Sequence, residues 1–192
     1  METDTLTSLL RFWKNSSEST SQPEALSEEA IQFKAGLDIK PVSRVSVRVG
    51  EFSNFLCHAV KYGNREVTAA GTGVYDEETK AVKVTSIYPI FDASGSGASV
   101  TITARNHERL QRALDYWKED DEVAIFHSHP HFSSFKSETD DQRAIRMACL
   151  LFGGVVAMII VDPFSDMGVD ISAYALDPET KIVHEIPFQL VS

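Results

Sequence analysis

Two imidazoles, a hydroxyl and a carboxylate fall within fourteen positions of this chain, in His127-Ser128-His129-Pro130 followed by Ser137-Glu138-Thr139-Asp140. Side chains alternate along an extended strand, so His127 and His129 point to one face with Ser128 turned away. The preceding residues, Glu122-Val-Ala-Ile-Phe126, form a short apolar run of strand type. Pro130 has no N–H to offer a ladder and stops the strand. Two imidazoles on one face, with a carboxylate arriving from the far side of a loop, suit a metal. A zinc held by three protein ligands keeps its fourth position for water, as a hydrolase requires. Asp140 is the natural third ligand, although on chemistry alone Asp141 could replace it. Two histidines and one carboxylate also make the facial triad of non-haem iron enzymes. Ser137 is equally a helix N-cap ahead of the helical run 141–150. Cap and ligand do not compete, because a helix start holds a nearby carboxylate firmly.

The string His-Ser-His-Pro, six residues, then Ser-x-x-Asp resembles the signature of the JAMM, or MPN-plus, metalloproteases. These are zinc isopeptidases that remove ubiquitin or ubiquitin-like proteins from their conjugates, and every motif position in this stretch is matched. The family places a further glutamate upstream, on the strand after its first helix. Here that position falls to Glu66, in Asn64-Arg-Glu-Val-Thr-Ala-Ala-Gly-Thr-Gly73. The family usually has Gly at the third position after its glutamate; this chain has Ala69, with Gly71 and Gly73 nearby. The resemblance spans 42–192 and implies one Zn2+ per chain on His127, His129 and Asp140. The implied fold is α/β, a curved mixed sheet flanked by helices and similar to cytidine deaminases. A ubiquitin-like protein or its conjugate is the implied substrate. This short form is similar to bacterial and archaeal members, which implies E1-like or E2-like partners encoded nearby.

Zinc lowers the pKa of a bound water from about 15.7 to around 7. A carboxylate beside that water, not itself a ligand, takes its proton and returns one to the leaving amine. Glu66 is the candidate for that base and acid, with Glu51 as the fallback. A hydroxyl aimed at the oxyanion is worth roughly 3–4 kcal/mol by analogy with other oxyanion holes, and Ser137 is placed to be that donor. Two other readings remain: an inactive MPN scaffold, and a metallopeptidase acting on a non-ubiquitin-like peptide or small molecule. An iron centre ranks lower, because it calls for neither Ser137 nor a distant glutamate.

Other chemistry-bearing residues are assigned elsewhere. His131 follows the motif in a loop with Phe132 and Phe135 and is a candidate cleft residue. His58 and His107 fall in helical stretches and His184 in a late strand, as surface or packing residues. Cys57-His58 looks like a nucleophile and base, but adjacent helical residues do not face each other. Cys149 sits in an apolar stretch as a small buried residue.

The elements that must position the motif follow from pattern. Residues 42–49 alternate as a strand and 51–62 read as a helix; 67–75 and 81–90 read as paired strands around the turn Asp76-Glu-Glu-Thr79. The Gly- and Ser-rich stretch 91–99 reads as a flexible loop, 100–103 as a strand and 106–118 as a helix. Beyond the motif come a helix over 138–152, a buried strand over 155–161 broken at Asp162-Pro163, and strands over 169–176 and 182–190 separated by the turn Asp177-Pro-Glu-Thr180. Interspersed strands and helices predict an α/β fold with a mixed sheet. Residues 6–13 carry a helical apolar stripe and 15–27 read as a linker, so 1–41 is expected to be an arm on a catalytic domain over 42–192.

Composition agrees with one compact enzyme. The 192 residues are 43% hydrophobic and 24% charged, both globular values. Two separated cysteines give no disulfide framework, which points to a reducing, cytoplasmic setting. No apolar run reaches the length of a membrane span, and no signal-peptide pattern opens the chain. A net charge of −10 argues against nucleic acid and anionic membrane as partners, and suits a partner with a basic face.

Overall fold

The structure, a computed structural model, describes residues 39–89, 94–96, 99–101, 121–137, 154–155, 157–180 and 182–192. Residues 1–38 and the expected helices at 106–118 and 138–152 lie outside the described residues, and with them His107, Asp140, Asp141 and Cys149. Residues 39–41, at the end of the expected arm, are tied to the sheet: Ile39 is buried, and Pro41 offers its carbonyl to the Tyr75 hydroxyl.

In chain order the elements are β1 (Arg44–Arg48), α1 (Val49–Tyr62), β2 (Thr68–Asp76), β3 (Ala81–Pro89), β4 (Ser94–Ser96), β5 (Ser99–Thr101), β6 (Asp121–Ser128), β7 (Ala157–Ser165), β8 (Gly168–Leu176), β9 (Val183–Ile186) and β10 (Phe188–Val191). Eight of the strands form one mixed sheet in the order β10-β1-β3-β2-β6-β7-β8-β9. The pairs β1–β10, β1–β3 and β6–β7 are parallel, and the remaining neighbours are antiparallel. The two outermost strands, β9 and β10, are consecutive in sequence with only Pro187 between them. The sheet therefore curls until its edges nearly meet.

Both faces of the central strands are buried, which explains why they read as continuous apolar runs. On one face, helix α1 lays Phe52, Phe55 and Ala59 into a core with Val45, Val84, Ala124, Phe126 and Ile159. The Phe55 and Phe126 rings meet at 5.3 Å, so the helix is anchored on the residue just before His127. The opposite face buries Ile125, Met158, Ile160 and Tyr174. Alternation puts His127 on that second face, beyond Ile125. Among the described residues no helix is long and apolar enough to cross a membrane.

Most elements match the pattern-based reading, and the exceptions have local causes. The Gly- and Ser-rich stretch expected as a flexible loop contains the small antiparallel hairpin β4–β5, with Ser94 opposite Thr101. Strand β7 runs on through Asp162-Pro163 to Ser165, and the ladder to β8 absorbs the proline as an irregularity between Asp162 and Ser165. The single strand expected over 182–190 is two, because Pro187 breaks it and sends β10 to the far edge. Both expected turns form on carboxylates: Asp76 Oδ1 accepts the Glu78 and Thr79 N–H groups, and Asp177 Oδ1 those of Glu179 and Thr180.

The curl is concentrated in β2, whose registers to both neighbours shift around Gly71-Thr72-Gly73. A Cβ on Gly73 would lie 1.9 Å from the Lys83 carbonyl oxygen, and one on Gly71 only 2.8 Å from the Phe126 ring. The Gly73 clash is with backbone and cannot be relieved by a rotamer change. Gly73→Ala should cost about 2 kcal/mol, in the range of overpacking, and lower the melting temperature by roughly 4–8 °C at this size. A calorimetric scan showing an unchanged midpoint would contradict this account of the curl.

Candidate metal centre

The register between β2 and β6 assembles the site. Thr68 lies opposite His127 in this antiparallel pair. Residues directly opposite share a face, so stepping back two residues on β2 and forward two on β6 brings Glu66 opposite His129. Glu66, His127 and His129 are all buried, and their ligand atoms lie within 4.8 Å of one another. His127 Nε2 is 3.6 Å from Glu66 Oε2, and the two imidazoles meet edge-on at 4.8 Å. Burying a carboxylate among apolar strands is costly unless a cation or hydrogen-bond donors answer it. Two borderline-soft nitrogens and one hard oxygen, converging where one ion can reach all three, are a donor set that fits a divalent metal such as zinc.

Strand β6 is held on both sides at this point. On one side it pairs in parallel with β7, and His129 N–H donates to the Val161 carbonyl at 2.9 Å, carrying the pairing one residue past the strand. On the other, Thr68 Oγ1 donates to the Phe126 carbonyl at 2.9 Å. Ser128 N–H donates to the Val67 carbonyl at 2.9 Å, while Val67 N–H donates to Ser128 Oγ at 2.9 Å. The serine read as merely turned away is thus fully buried and bonded twice to the residue after Glu66.

A family model for prokaryotic homologs of the JAB domain matches residues 50–175 of this chain. The chain belongs to that family. The match contains every residue of the assembled site. The fold of this JAB domain is similar to the solution structure of protein DSY2949 from Desulfitobacterium hafniense. That likeness has a TM-score of 0.56 at 19% identity, covering 77% of this chain and 93% of the other. A comparison with curated proteins gives no match.

In this JAB domain the loop after β6 is fixed by carboxylates from β7 and β8. Buried Asp162 accepts three backbone N–H groups, those of His131 and Phe164 on Oδ1 and that of Ser133 on Oδ2, at 3.0, 2.9 and 3.1 Å. Asp170 Oδ2 accepts the Ser134 N–H and the Ser133 hydroxyl, both at 3.0 Å. Ser134 Oγ pairs with Ser172 Oγ at 2.8 Å, and Tyr174 donates to the Ser134 carbonyl. These bonds hold His131 and Ser133 at φ of +66° and +67°, a region that side chains other than glycine's occupy only when their surroundings insist. The aromatic residues between the pins stay outside: Phe132 and Phe135 are 57% and 55% exposed, and the Phe135 ring stands edge-on to His129 at 5.9 Å.

The remaining sequence candidates that fall within the described residues have definite places. Ser137 ends the described part of this loop and is half-buried; the expected third ligand, Asp140, lies outside the described residues. His131 stacks on Phe164 at 4.8 Å and its Nε2 meets Asn64 Oδ1 at 3.1 Å, bracing the turn before Glu66. Glu51, the fallback base, sits in the first turn of α1 and accepts the Ile87 N–H at 3.1 Å. His58 is buried against Tyr62, and burial, with Lys61 nearby, holds its pKa below 6.5. Cys57 beside it is exposed, so the two indeed point apart, and His184 is exposed on β9. Pattern reasoning missed Ser128, Asp162 and Asp170. Only Asp162-Pro163 left a mark, and it read as a strand break.

The Asp170 pins titrate. The Ser134 N–H foremost, helped by the Ser133 hydroxyl, holds this carboxyl below its ordinary 3.8 in spite of some desolvation. A depressed folded pKa means the stabilisation is present above 3.8 and is lost as pH falls through the lowered value. Asp170→Asn should therefore speed Ser134 amide exchange by roughly tenfold at neutral pH, the scale of one charge-assisted bond. Exchange at Ser134 that matches the parent would show that the Asp170 charge does not hold this part of the loop.

Proposed function

We propose that this JAB domain is a zinc-dependent isopeptidase that cleaves after the C-terminus of a ubiquitin-like protein, in deconjugation or precursor maturation. The observation that carries the reading is the buried convergence of Glu66 with His127 and His129 at adjoining strand ends. His127 and His129 hold the zinc, with Asp140 as the third ligand. A zinc bound here would bring the pKa of a water near 7.

Glu66 takes the proton of the attacking water and delivers it to the departing amine. Its burial suits that work, because a carboxylate held away from bulk water keeps the proton between the two reacting groups. Ser137, on the pinned loop, donates its hydroxyl to the oxyanion of the tetrahedral intermediate. The exposed rings of Phe135, which stands edge-on to His129, and of Phe132 on the same loop receive the tail of the substrate. Terminal glycines let that extended backbone approach where larger side chains would block it.

The test uses a ubiquitin-like protein joined through its C-terminal glycine to a lysine side chain, with metal content measured alongside cleavage. About one zinc per chain is expected, and chelation should abolish cleavage. His127→Ala and His129→Ala should each lose the metal. Iron in the purified protein, or full metal retention in both variants, would defeat the zinc assignment.

Glu66→Gln should keep the metal while the hydrolysis rate falls by roughly 10²–10⁴. Loss of zinc in that variant would make Glu66 a ligand, and undiminished turnover would end its part in proton transfer. Replacing the tail glycines with bulky residues should stop cleavage; indifference to that change would refute the ubiquitin-like substrate.

A further inference from the structure

The geometry points to Ser128 as the residue that positions Glu66: its hydroxyl stands in for a backbone carbonyl in the β2–β6 ladder, so the strands part at the metal site without releasing the glutamate. This inference rests on the reading of Glu66 as the proton-transfer group.

In an ordinary antiparallel ladder every second pair of opposite residues exchanges both of its N–H···O=C bonds. Ser128 and Val67 keep one of these, Ser128 N–H to the Val67 carbonyl at 2.9 Å. In the other, Val67 N–H goes to Ser128 Oγ, also at 2.9 Å. The side chain has taken the position of the carbonyl, and the Cα–Cβ arm lets the main chain of β6 leave the ladder. It leaves towards β7, where the next residue, His129, bonds to Val161.

The consequence is a fork. From Gly71 opposite Ala124 to Thr68 opposite His127 the two strands are in continuous register, and past Ser128 the main-chain bonding of β6 passes to β7. Glu66 and His129 therefore sit on opposite arms, with their ligand atoms within 4.8 Å of each other. Val67 stays fastened through both of its polar backbone atoms, and Glu66 is one peptide away. Alanine at this position could not do the same. Ser128 has no exposed surface, so no water could replace the lost acceptor. The Val67 N–H would then have to move to find a partner, carrying Glu66 with it.

The experiment compares Ser128→Ala and Ser128→Thr with the parent, alone and combined with Glu66→Gln. In the metal-free protein, Ser128→Ala should speed Val67 amide exchange by at least about tenfold, while amides at residues 69 and 70 keep their protection. Metal content should match the parent, because neither histidine is held by this hydroxyl. Turnover should fall roughly 10- to 100-fold, the usual effect of about 1 Å of misplacement. In the Glu66→Gln background the same substitution should cost nothing further, since the group it positions is already gone. Ser128→Thr, which keeps the oxygen, should restore both Val67 protection and turnover.

Unchanged Val67 exchange overturns the inference, as does an equal loss of turnover in the presence and absence of Glu66. If Ser128→Ala does not fold, Ser128→Cys, with a longer and weaker acceptor, takes its place against Ser128→Thr. If the parent cleaves no ubiquitin-like conjugate, the isopeptidase reading fails, and the exchange and metal measurements still decide whether Ser128 holds Val67.

Discussion

Everything at this site depends on the pairing of β2 with β6. That pairing sets a residue at the start of one strand against a residue beyond the end of the other, which is the only way Glu66 can reach two histidines so distant in sequence. A slip of one residue would put all of β2 on the opposite face and remove the carboxylate from the site. Four features prevent the slip: the Thr68 hydroxyl on the Phe126 carbonyl, the paired bonds of Ser128 and Val67, the glycine that accepts the Phe126 ring, and the Phe55–Phe126 contact beneath. The core residue that anchors the helix and the first histidine are neighbours in sequence, so packing and site geometry are set by the same few atoms.

The loop after β6 solves a second problem. A segment that must carry exposed aromatic rings beside a buried charged centre cannot be held by apolar packing alone. It is held instead by carboxylates accepting backbone N–H groups, which are among the stronger hydrogen bonds available. Asp162 and Asp170 come from β7 and β8, so the loop is referenced to the far half of the sheet while Glu66 is referenced to the near half. The placing of the loop relative to Glu66 is thus set by the sheet itself.

How much of this was legible in the sequence varies with the range of the interaction. Helix α1, strands β2, β3 and β8 and both aspartate turns were readable because period and turn chemistry are local. The pair His127 and His129 was readable for the same reason, since strand alternation fixes their common face. Glu66 was reached through family resemblance; no spacing rule links positions on different strands until the register is known. Ser128 gave no signal, because a small strand residue looks the same whether it fills space or replaces a carbonyl. Asp162-Pro163 was misread as a strand break because proline's missing N–H is a local fact, whereas the partner that tolerates it, β8, is not. The division of the last strand at Pro187 was likewise missed, since both halves are extended and alternate in the manner of one strand.

That division has a bearing on how the chain reaches its folded state. Strand β1 lies between β3 and β10, the strand of the sheet most distant from it in sequence, and it pairs in parallel with both. Until β10 emerges, β1 presents an unsatisfied edge, and the Phe52 ring on α1 lacks its Phe188 partner. Closing that seam demands a contact between opposite ends of the domain, the slowest kind to form by chain diffusion. The metal-site half of the sheet, β2, β6 and β7, needs no part of β10 for its pairing. A ribosome-bound chain could thus hold the three converging side chains in register while its outer seam is still open, and protection of the β1 edge against sticking to other chains would arrive only with β10.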